Sequence, residues 1–326
     1  MILGATPDGN EIQGVEIANG PARALVMTYG ATLCRFHLDG IDASLALGSP
    51  DIESYLSQMR YFGAIVGPVA NRIAGGRAPL DGDVLQLDVN ENGNALHGGL
   101  NGLSQQVWTV AERGAHSVTL RLGVPDGAGG LPGPIDIWVT YALDPEGALE
   151  IDITGQSERA TFFNPAFHGY WSLNGTGLAG HRLQIDADTY LPVDDALVPT
   201  GDIMAVEGTP YDLRQATPLP AMIDLDTNFC LNGKGMRPVA RLETDTLAMI
   251  IETDAPGLQV YDAARLNTAP ARGHHGLPYG RHAGVAMEPQ HWPDAPNHAD
   301  FPSIALRPGT QFRQTSRFRF IRKEGA

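Results

Sequence analysis

Polar residues able to move protons or bind hydroxyl groups are concentrated in five segments, at 63–73, 94–99, 164–174, 256–261 and 284–298. Each segment is framed by glycine, proline and aromatic residues. The side chains of chemical interest in them are Asn71, Arg72, His97, His168, Gln259 and Glu288. Histidine titrates near neutral pH and partial burial raises the pKa of a glutamate, so His168 and Glu288 suit general acid–base catalysis. Arg72 offers a fork of hydrogen-bond donors, and His97 another donor, to a hydroxyl or a developing oxyanion.

A purely structural role is the alternative for each of these residues. His168 stands among aromatic residues, where a hydrogen-bonded core histidine is common. Glu288 lies between a methionine and a proline, where an unpaired carboxylate is costly, so it either pairs with a cation such as Arg281 or has a function. Arg72 and His97 could instead hold turns.

Three blocks of the chain carry a resemblance to a known family. They are Asn71-Arg72-Ile73, Leu96-His97-Gly98-Gly99 and the run from Glu288 to His298, which reads EPQHWPDAPNH. In order and spacing these blocks resemble those of the aldose 1-epimerases, also called galactose mutarotases. The resemblance covers nearly the whole chain, and it implies a large β-sandwich with an open carbohydrate groove and no cofactor.

The resemblance also implies roles, by position in the motifs. Glu288 is expected to be the general base and His168 the general acid. The residues expected to hold the sugar hydroxyls and the ring-oxygen region are Arg72, His97, Asp226 and Gln259, with Asn71 beside them. Asp224 or Asp212 could take the place of Asp226. The planar side chains of Tyr170 and Trp171 are candidates to flank the sugar.

The residue types agree with the chemistry that this family name implies. To interconvert the anomers of a cyclic hemiacetal, an enzyme removes the proton of the C1 hydroxyl and protonates the ring oxygen. The ring then opens to an aldehyde, which rotates and closes again. One base and one acid suffice, and each must serve in both protonation states because the reaction runs both ways.

This sequence departs from the family pattern at three positions. Pro68 stands where the family usually has an arginine, Thr227 follows Asp226 in place of a histidine, and Asp262 follows Tyr261 in place of threonine or serine. We expect these changes to lie around the sugar-binding positions. They leave open which free aldose is the substrate.

Two other kinds of function remain as alternatives. One is a noncatalytic sugar-binding β-sandwich, which would not need to retain Glu288 and His168. The other is an epimerase or hydrolase that acts on a modified or phosphorylated sugar. Phosphate binding favours clustered arginine or lysine, which the sequence does not display, and hydrolysis needs a second carboxylate facing Glu288, for which Asp226 is the candidate.

Most of the chain has the two-residue alternation of half-buried strands, as at Ile135, Ile137 and Val139. Turn signals such as Asp81-Gly82 lie between such runs, and Ser49, followed by proline and acidic residues, is predicted to cap a short helix. The segment 175–180 matches a dinucleotide-binding spacing, but the following residues alternate like a strand, so we predict a turn. The sequence predicts an all-β fold, a large antiparallel β-sandwich with very few short helices, in a single domain over residues 1–326.

The composition and net charge of the chain limit the classes of molecule that it is expected to bind. The 326 residues carry a formal charge of −15, which disfavours nucleic acid and anionic membrane surfaces. The two cysteines, the absence of a leader-like amino terminus and the absence of a long apolar run predict a cytoplasmic protein without a membrane span. Glu288, His291, Asp294 and His298 fit no zinc spacing, so we predict no metal site. A small monosaccharide is the expected partner, and the chain is expected to be a monomer or a weak homodimer.

Overall fold

The computed structural model describes residues 1–220 and 223–323, and β-strands make up most of its regular structure. The first strands are β1 (Ile2–Ala5), β2 (Glu11–Asn19), β3 (Ala22–Met27), β4 (Thr32–Leu38), β5 (Ile65–Val66), β6 (Arg72–Ile73), β7 (Arg77–Leu80), β8 (Asp83–Gln86) and β9 (Ala95–Leu96). The next are β10 (Thr109–Arg113), β11 (Ser117–Val124), β12 (Ile135–Leu143), β13 (Leu149–Ser157), β14 (Thr161–Phe162), β15 (Ala166–Phe167), β16 (Tyr170–Trp171), β17 (Arg182–Ile185) and β18 (Thr189–Leu191). The last are β19 (Met204–Ala205), β20 (Thr217–Pro218), β21 (Asp226–Cys230), β22 (Arg237–Glu243), β23 (Leu247–Thr253), β24 (Gly257–Tyr261), β25 (Val285–Gln290), β26 (Ala305–Leu306) and β27 (Phe312–Arg322).

Helical structure in the described residues is short. The α-helix, α1, spans Ile52–Tyr55. The 3-10 turns are Ala74–Gly76, Gly99–Asn101, Leu103–Gln105, Ala128–Gly130 and Ala295–Asn297. No helix in the described part of the chain has the length and apolar character needed to cross a bilayer.

Three large antiparallel sheets form the body of the fold, as the alternation predicts. The largest has nine strands in the order β10-β11-β12-β13-β27-β23-β22-β17-β20. A second has six strands, β16-β25-β24-β21-β18-β19, and a third has four, β1-β2-β3-β4. Strand β12 alternates between buried and half-buried residues along its whole length, which is the pattern of a strand with one face on the core.

One hydrophobic cluster joins these sheets. It includes Phe36 of β4, Val139 of β12, Phe318 of β27 and Met287 of β25. The nine-stranded and six-stranded sheets therefore pack face to face, as in a β-sandwich. Each fully buried side chain of this size contributes about 1.5–3 kcal/mol relative to its exposed state, so this core provides the main support for the sheet that bears the polar residues.

The turn and helix predictions have different outcomes. Asp81 and Gly82 connect β7 to β8 with positive φ at both positions, as a tight hairpin turn requires, so that prediction is confirmed. The segment 175–180 forms turns before β17, as predicted. The helix cap was assigned wrongly. The helix begins at Ile52 after Asp51, because the hydroxyl of Ser49 accepts a hydrogen bond from the Asp51 N–H and donates one to Ser54, which holds the chain in a turn.

Candidate active site

Side-chain alternation places polar residues on one face of the six-stranded sheet. In β25 Met287 faces the core, so Glu288 faces the opposite side. Gln259 of β24 pairs with Glu288 in register, and Asp226 begins the next strand, β21. Three neighbouring strands therefore present Asp226, Gln259 and Glu288 on the face away from the core.

His168 reaches the same face from the turn between β15 and β16. The backbone N–H of His168 donates to the carbonyl of Ala64, and the backbone carbonyl of His168 accepts from the N–H of Gly63. These two bonds fix the backbone at this position. The His168 Nε2 and Glu288 Oε1 atoms lie 3.6 Å apart, and both side chains are almost fully buried. That separation is too long for a hydrogen bond, so the two groups face each other without being joined.

The first two motif blocks meet because β6 pairs with β9, with Arg72 opposite Leu96. His97 follows β9, and its Nδ1 accepts the backbone N–H of Asn71 at 3.1 Å. Burial, followed by the charges of His168 and Arg72, holds the pKa of His97 well below 6.5, so the ring is neutral. A neutral ring that accepts at Nδ1 carries its proton on Nε2, which makes His97 a hydrogen-bond donor. The side-chain oxygen of Asn71 accepts the Arg72 N–H at 2.8 Å and holds the turn.

The glycines after His97 are required by backbone conformation. His97, Gly98 and Gly99 have φ values of 52°, 86° and 80°, all in the left-handed region. A Cβ atom on Gly98 would lie 2.0 Å from the carbonyl oxygen of Gly67. That oxygen accepts the N–H of Leu103, so it cannot move freely.

We therefore expect Gly98→Ala to destabilise the protein by about 2 kcal/mol or more, which lowers the melting temperature by several degrees. Differential scanning calorimetry measures this loss. Gly82→Ala is the matched control for positive φ, because a Cβ atom on Gly82 meets nothing within 4 Å. Equal losses in the two variants would show that strain at positive φ, and not the contact with Gly67, is the cause.

Arg72 is held by an ion pair that the sequence did not reveal. Its Nε donates to Oε2 of Glu91 at 2.6 Å, and its Nη2 donates to Oε1 at 3.0 Å. The Arg72 side chain is 10% exposed and that of Glu91 29% exposed. A two-point pair of this kind fixes both the position and the plane of the guanidinium.

Asp226 is oriented from the neighbouring strand. Its Oδ1 accepts the Nε2–H of Gln259 at 2.7 Å. Burial raises the pKa of Asp226, and the Arg72 charge opposes that rise. Asp212 pairs instead with Arg214, and Asp224 with Arg281, so Asp226 is the one of the three candidates that lies at this face.

These side chains line one open groove of about 330 Å³. All seven candidate residues predicted from the sequence lie along it. Leu96 and Tyr261, from the segments 94–99 and 256–261, also line it. Further lining residues were not predicted from the sequence, namely Tyr61, Glu91, Asn92, Asp195, Ala196, Leu197 and Arg265. The ring of Tyr61 stacks on His168 with centroids 5.9 Å apart, and Tyr170 lies 5.1 Å from the same imidazole. No sequence motif marks these additional residues, because they come from loops that meet only in the folded chain.

Burial favours the neutral forms of both members of the central pair. It raises the pKa of Glu288 well above 4.5, an effect that the Asp226 charge increases and the Arg72 charge reduces. It lowers the pKa of His168 to about 4. In the part of the chain that the structure describes, Oε2 of Glu288 has no hydrogen-bond partner, although it is buried. A buried carboxyl of this kind is costly unless a ligand or a function accounts for it.

Of the residues considered above, Trp171 was placed wrongly, and the structure defines the surroundings of Arg281 and of the three departures from the family pattern. Trp171 is fully buried in the core, because it alternates with Tyr170 on β16, so only Tyr170 borders the groove. Arg281 pairs with Asp224 and not with Glu288. Within residues 1–220 and 223–323, the groove lining does not include Pro68, Thr227 or Asp262. Thr227 and Asp262 alternate with the groove residues Asp226 and Tyr261.

Four residues were considered as metal ligands in the sequence, namely Glu288, His291, Asp294 and His298, and they are not the group that converges in the described residues. Of these four, Asp294 and His298 contact each other, with Oδ2 of Asp294 3.2 Å from Nε2 of His298. Within the described residues, the acidic and imidazole groups that do converge are Asp224, Asp262 and His282. The Arg281 guanidinium already donates to Asp224 at 2.5 Å and to His282 Nε2 at 2.9 Å, so a positive charge occupies that position.

Fold and site together define a class of protein: a large antiparallel β-sandwich with a buried carboxyl–imidazole pair in an open polar groove. The model of the family described as aldose 1-epimerase matches residues 13–319. The chain is 35% identical to the galactose mutarotase of Homo sapiens, over 98% of this chain and 97% of that protein. It is 31% identical to the aldose 1-epimerase of Escherichia coli, over 97% of each. Among solved structures, an aldose epimerase homologue from C. elegans superposes with a TM-score of 0.90 at 30% identity, covering 95% of this chain and 99% of that one. This chain therefore belongs to the aldose 1-epimerase family.

Proposed function

We propose that this protein is an aldose 1-epimerase, which interconverts the α and β anomers of a free aldose by general acid–base catalysis. The observation that carries the proposal is the buried pair of Glu288 and His168, whose reactive atoms face each other at 3.6 Å in a polar groove. The relatives of similar length named as galactose mutarotase and aldose 1-epimerase support the same activity.

In the proposed reaction the carboxylate of Glu288 accepts the proton of the C1 hydroxyl, and the protonated His168 donates a proton to the ring oxygen. The C1–O5 bond breaks, and its electron pair remains on the oxygen that is being protonated. The product is an open-chain aldehyde with a neutral carboxyl and a neutral imidazole in the groove. Burial favours this neutral pair also in the empty groove, so the ionised pair from which the ring opens is the minor arrangement of the same single proton. Rotation about the C1–C2 bond and the reverse proton transfers close the ring as either anomer.

The other groove residues are proposed to bind and orient the sugar. His97 donates from Nε2, and Arg72 donates from the N–H groups that Glu91 leaves free. Asp226, held by Gln259, accepts from a hydroxyl group. Such contacts fix the anomeric centre against both the acid and the base, which lowers the entropic cost of reaching the transition state.

The test of the function is anomeric NMR or polarimetry of freshly dissolved α-D-galactose, α-D-glucose, L-arabinose and D-xylose in buffer treated with a chelator. Acceleration of the approach to equilibrium, with one sugar preferred, supports the proposal and gives the substrate class. If the folded protein accelerates none of them, the proposal fails in favour of sugar binding or a modified sugar. Isothermal titration calorimetry with the same sugars separates those two outcomes.

The pKa shifts predict an unusual pH profile. The reaction needs one proton shared by Glu288 and His168. The pair takes up a second proton only as the pH falls through about 4, the lowered pKa of His168. It loses its one proton as the pH rises through the raised pKa of Glu288. We therefore expect kcat/KM to be bell-shaped, with the acid limb near pH 4 and the alkaline limb set by the glutamate.

Measurement of kcat/KM from pH 3.5 to 9, with the uncatalysed rate subtracted at each pH, checks this assignment. An acid limb near 6.5 would contradict it, because that is the pKa of an unperturbed histidine.

A further inference from the structure

Glu91 lies at the groove without belonging to any motif block. It sits in a tight turn, where its carbonyl accepts the N–H of Asn94 at 2.7 Å and its own N–H donates to the Asn94 carbonyl at 3.1 Å. The turn is tied to the 3-10 turn that follows β6, because the side-chain oxygen of Asn94 accepts the Gly75 N–H. Glu91 is therefore held by the backbone, and its carboxylate is a fixed anchor rather than a mobile surface charge.

The ion pair determines which part of Arg72 can reach a ligand. Glu91 occupies Nε and one proton of Nη2. The donors that remain lie at Nη1 and at the second Nη2 proton. An unanchored arginine has many rotamers, so the pair also removes the entropic cost of ordering this side chain when a sugar binds.

The two charges of this pair also contribute to the electric field in the groove. The charge of Arg72 lowers the pKa values of Glu288 and Asp226, and the charge of Glu91 acts in the opposite direction at Asp226. The titratable and charged groups that share the groove with Glu288 are Tyr61, Arg72, Glu91, His97, His168, Tyr170, Asp195, Asp226, Tyr261 and Arg265. Within this set Glu91 is the carboxylate that accepts hydrogen bonds directly from Arg72, and Arg72 is the cation that opposes protonation of Glu288.

We propose that Glu91 is a positioning residue, which holds Arg72 against the groove and offsets the effect of its positive charge on Glu288. This inference rests on the proposed function for its effect on substrate binding. Its electrostatic part concerns the protonation of Glu288 and can be measured without any sugar.

Two variants separate the two effects. Glu91→Gln keeps the shape and removes the charge. The uncompensated Arg72 then stabilises ionised Glu288, so the alkaline limb of kcat/KM moves to lower pH by about half a unit. Glu91→Asp keeps the charge but shortens the side chain. In that variant the limb stays where it is in the unaltered protein, and KM rises about fivefold because Arg72 is no longer held in place.

Infrared spectroscopy gives the readout that does not depend on activity. A protonated buried carboxyl has a resolved C=O stretching band, and the band that is absent from Glu288→Gln belongs to Glu288. We expect this band to titrate at lower pH in Glu91→Gln than in the unaltered protein, and to be unchanged in Glu91→Asp.

Glu243→Gln is the matched control, since Glu243 accepts from Nε of Arg241 at the same 2.6 Å distance but does not line the groove. An unshifted band in Glu91→Gln, or an equal shift in Glu243→Gln, would overturn the proposal. If the unaltered protein accelerates no aldose, the proposed function fails, while the band titration still decides whether Glu91 offsets the Arg72 charge.

Discussion

Replacing Glu288 by glutamine is expected to lower kcat by at least about 10²-fold, with a much smaller change in KM. Glutamine has nearly the same shape and is accommodated in the same buried position, but its amide cannot accept a proton from the C1 hydroxyl. The groove would still bind the sugar through Arg72, His97 and Asp226. Initial rates of anomer interconversion, measured over a range of sugar concentrations, separate kcat from KM.

The thermal stability of the Glu288→Gln variant, measured as a function of pH, is the control for this experiment. A carboxyl whose folded pKa is raised binds more protons in the folded state, so its contribution to stability is lost as the pH rises through that pKa. Glutamine does not ionise. We therefore expect the variant to melt at a higher temperature than the unaltered protein at pH 8, with a smaller difference near pH 4.5. Full activity in a variant that shows this stability pattern would exclude Glu288 as the base.

Replacing His168 by asparagine is expected to reduce kcat by a similar factor, at least about 10²-fold. The asparagine side chain carries no group that can donate a proton to the ring oxygen and take it back. The acid limb of the pH profile near 4 should also disappear, because that limb belongs to the imidazole. Kinetics of anomer interconversion across the pH range measure both effects.

His181→Asn is the matched control for this substitution. His181 is also buried, but its Nε2 accepts the backbone N–H of Leu173, and it does not line the groove. Its loss should lower stability and leave kcat nearly unchanged. If His168→Asn lost no more activity than His181→Asn, His168 would be a core histidine and not the acid.

The strand pattern shows how much of the fold could be predicted from the sequence. Alternation at residues 135–143 predicted a half-buried strand, and β12 has that burial pattern along its length. The Asp81-Gly82 turn was equally clear, because positive φ restricts the residue types that can occupy it. The helix start was not predicted correctly, because Ser49 is a typical capping residue type but lies two residues before the actual cap, Asp51, and forms its hydrogen bonds within a turn.

The predictions for the groove divide in the same way. The seven residues taken from the motif blocks and from Asp226 all lie along it. Trp171 was misplaced, since the sequence showed an aromatic residue beside His168 but not which face of β16 it would occupy. Glu91, Tyr61, Asp195 and Arg265 were missed because no local pattern marks a loop residue that contacts a distant strand.

The sequence by itself determined the elements and the residue types: antiparallel strands, tight turns, and candidate acid, base and hydroxyl-binding side chains in a fixed order. These properties are local, since alternation and turn propensity depend on neighbouring residues. Only the tertiary structure decided that His168 and Glu288 face each other and that Glu91 holds Arg72. It also decided that burial shifts the pKa values of the central pair in opposite directions. The physical reason is that distances between side chains on different strands, and the removal of water around them, depend on how the sheets pack.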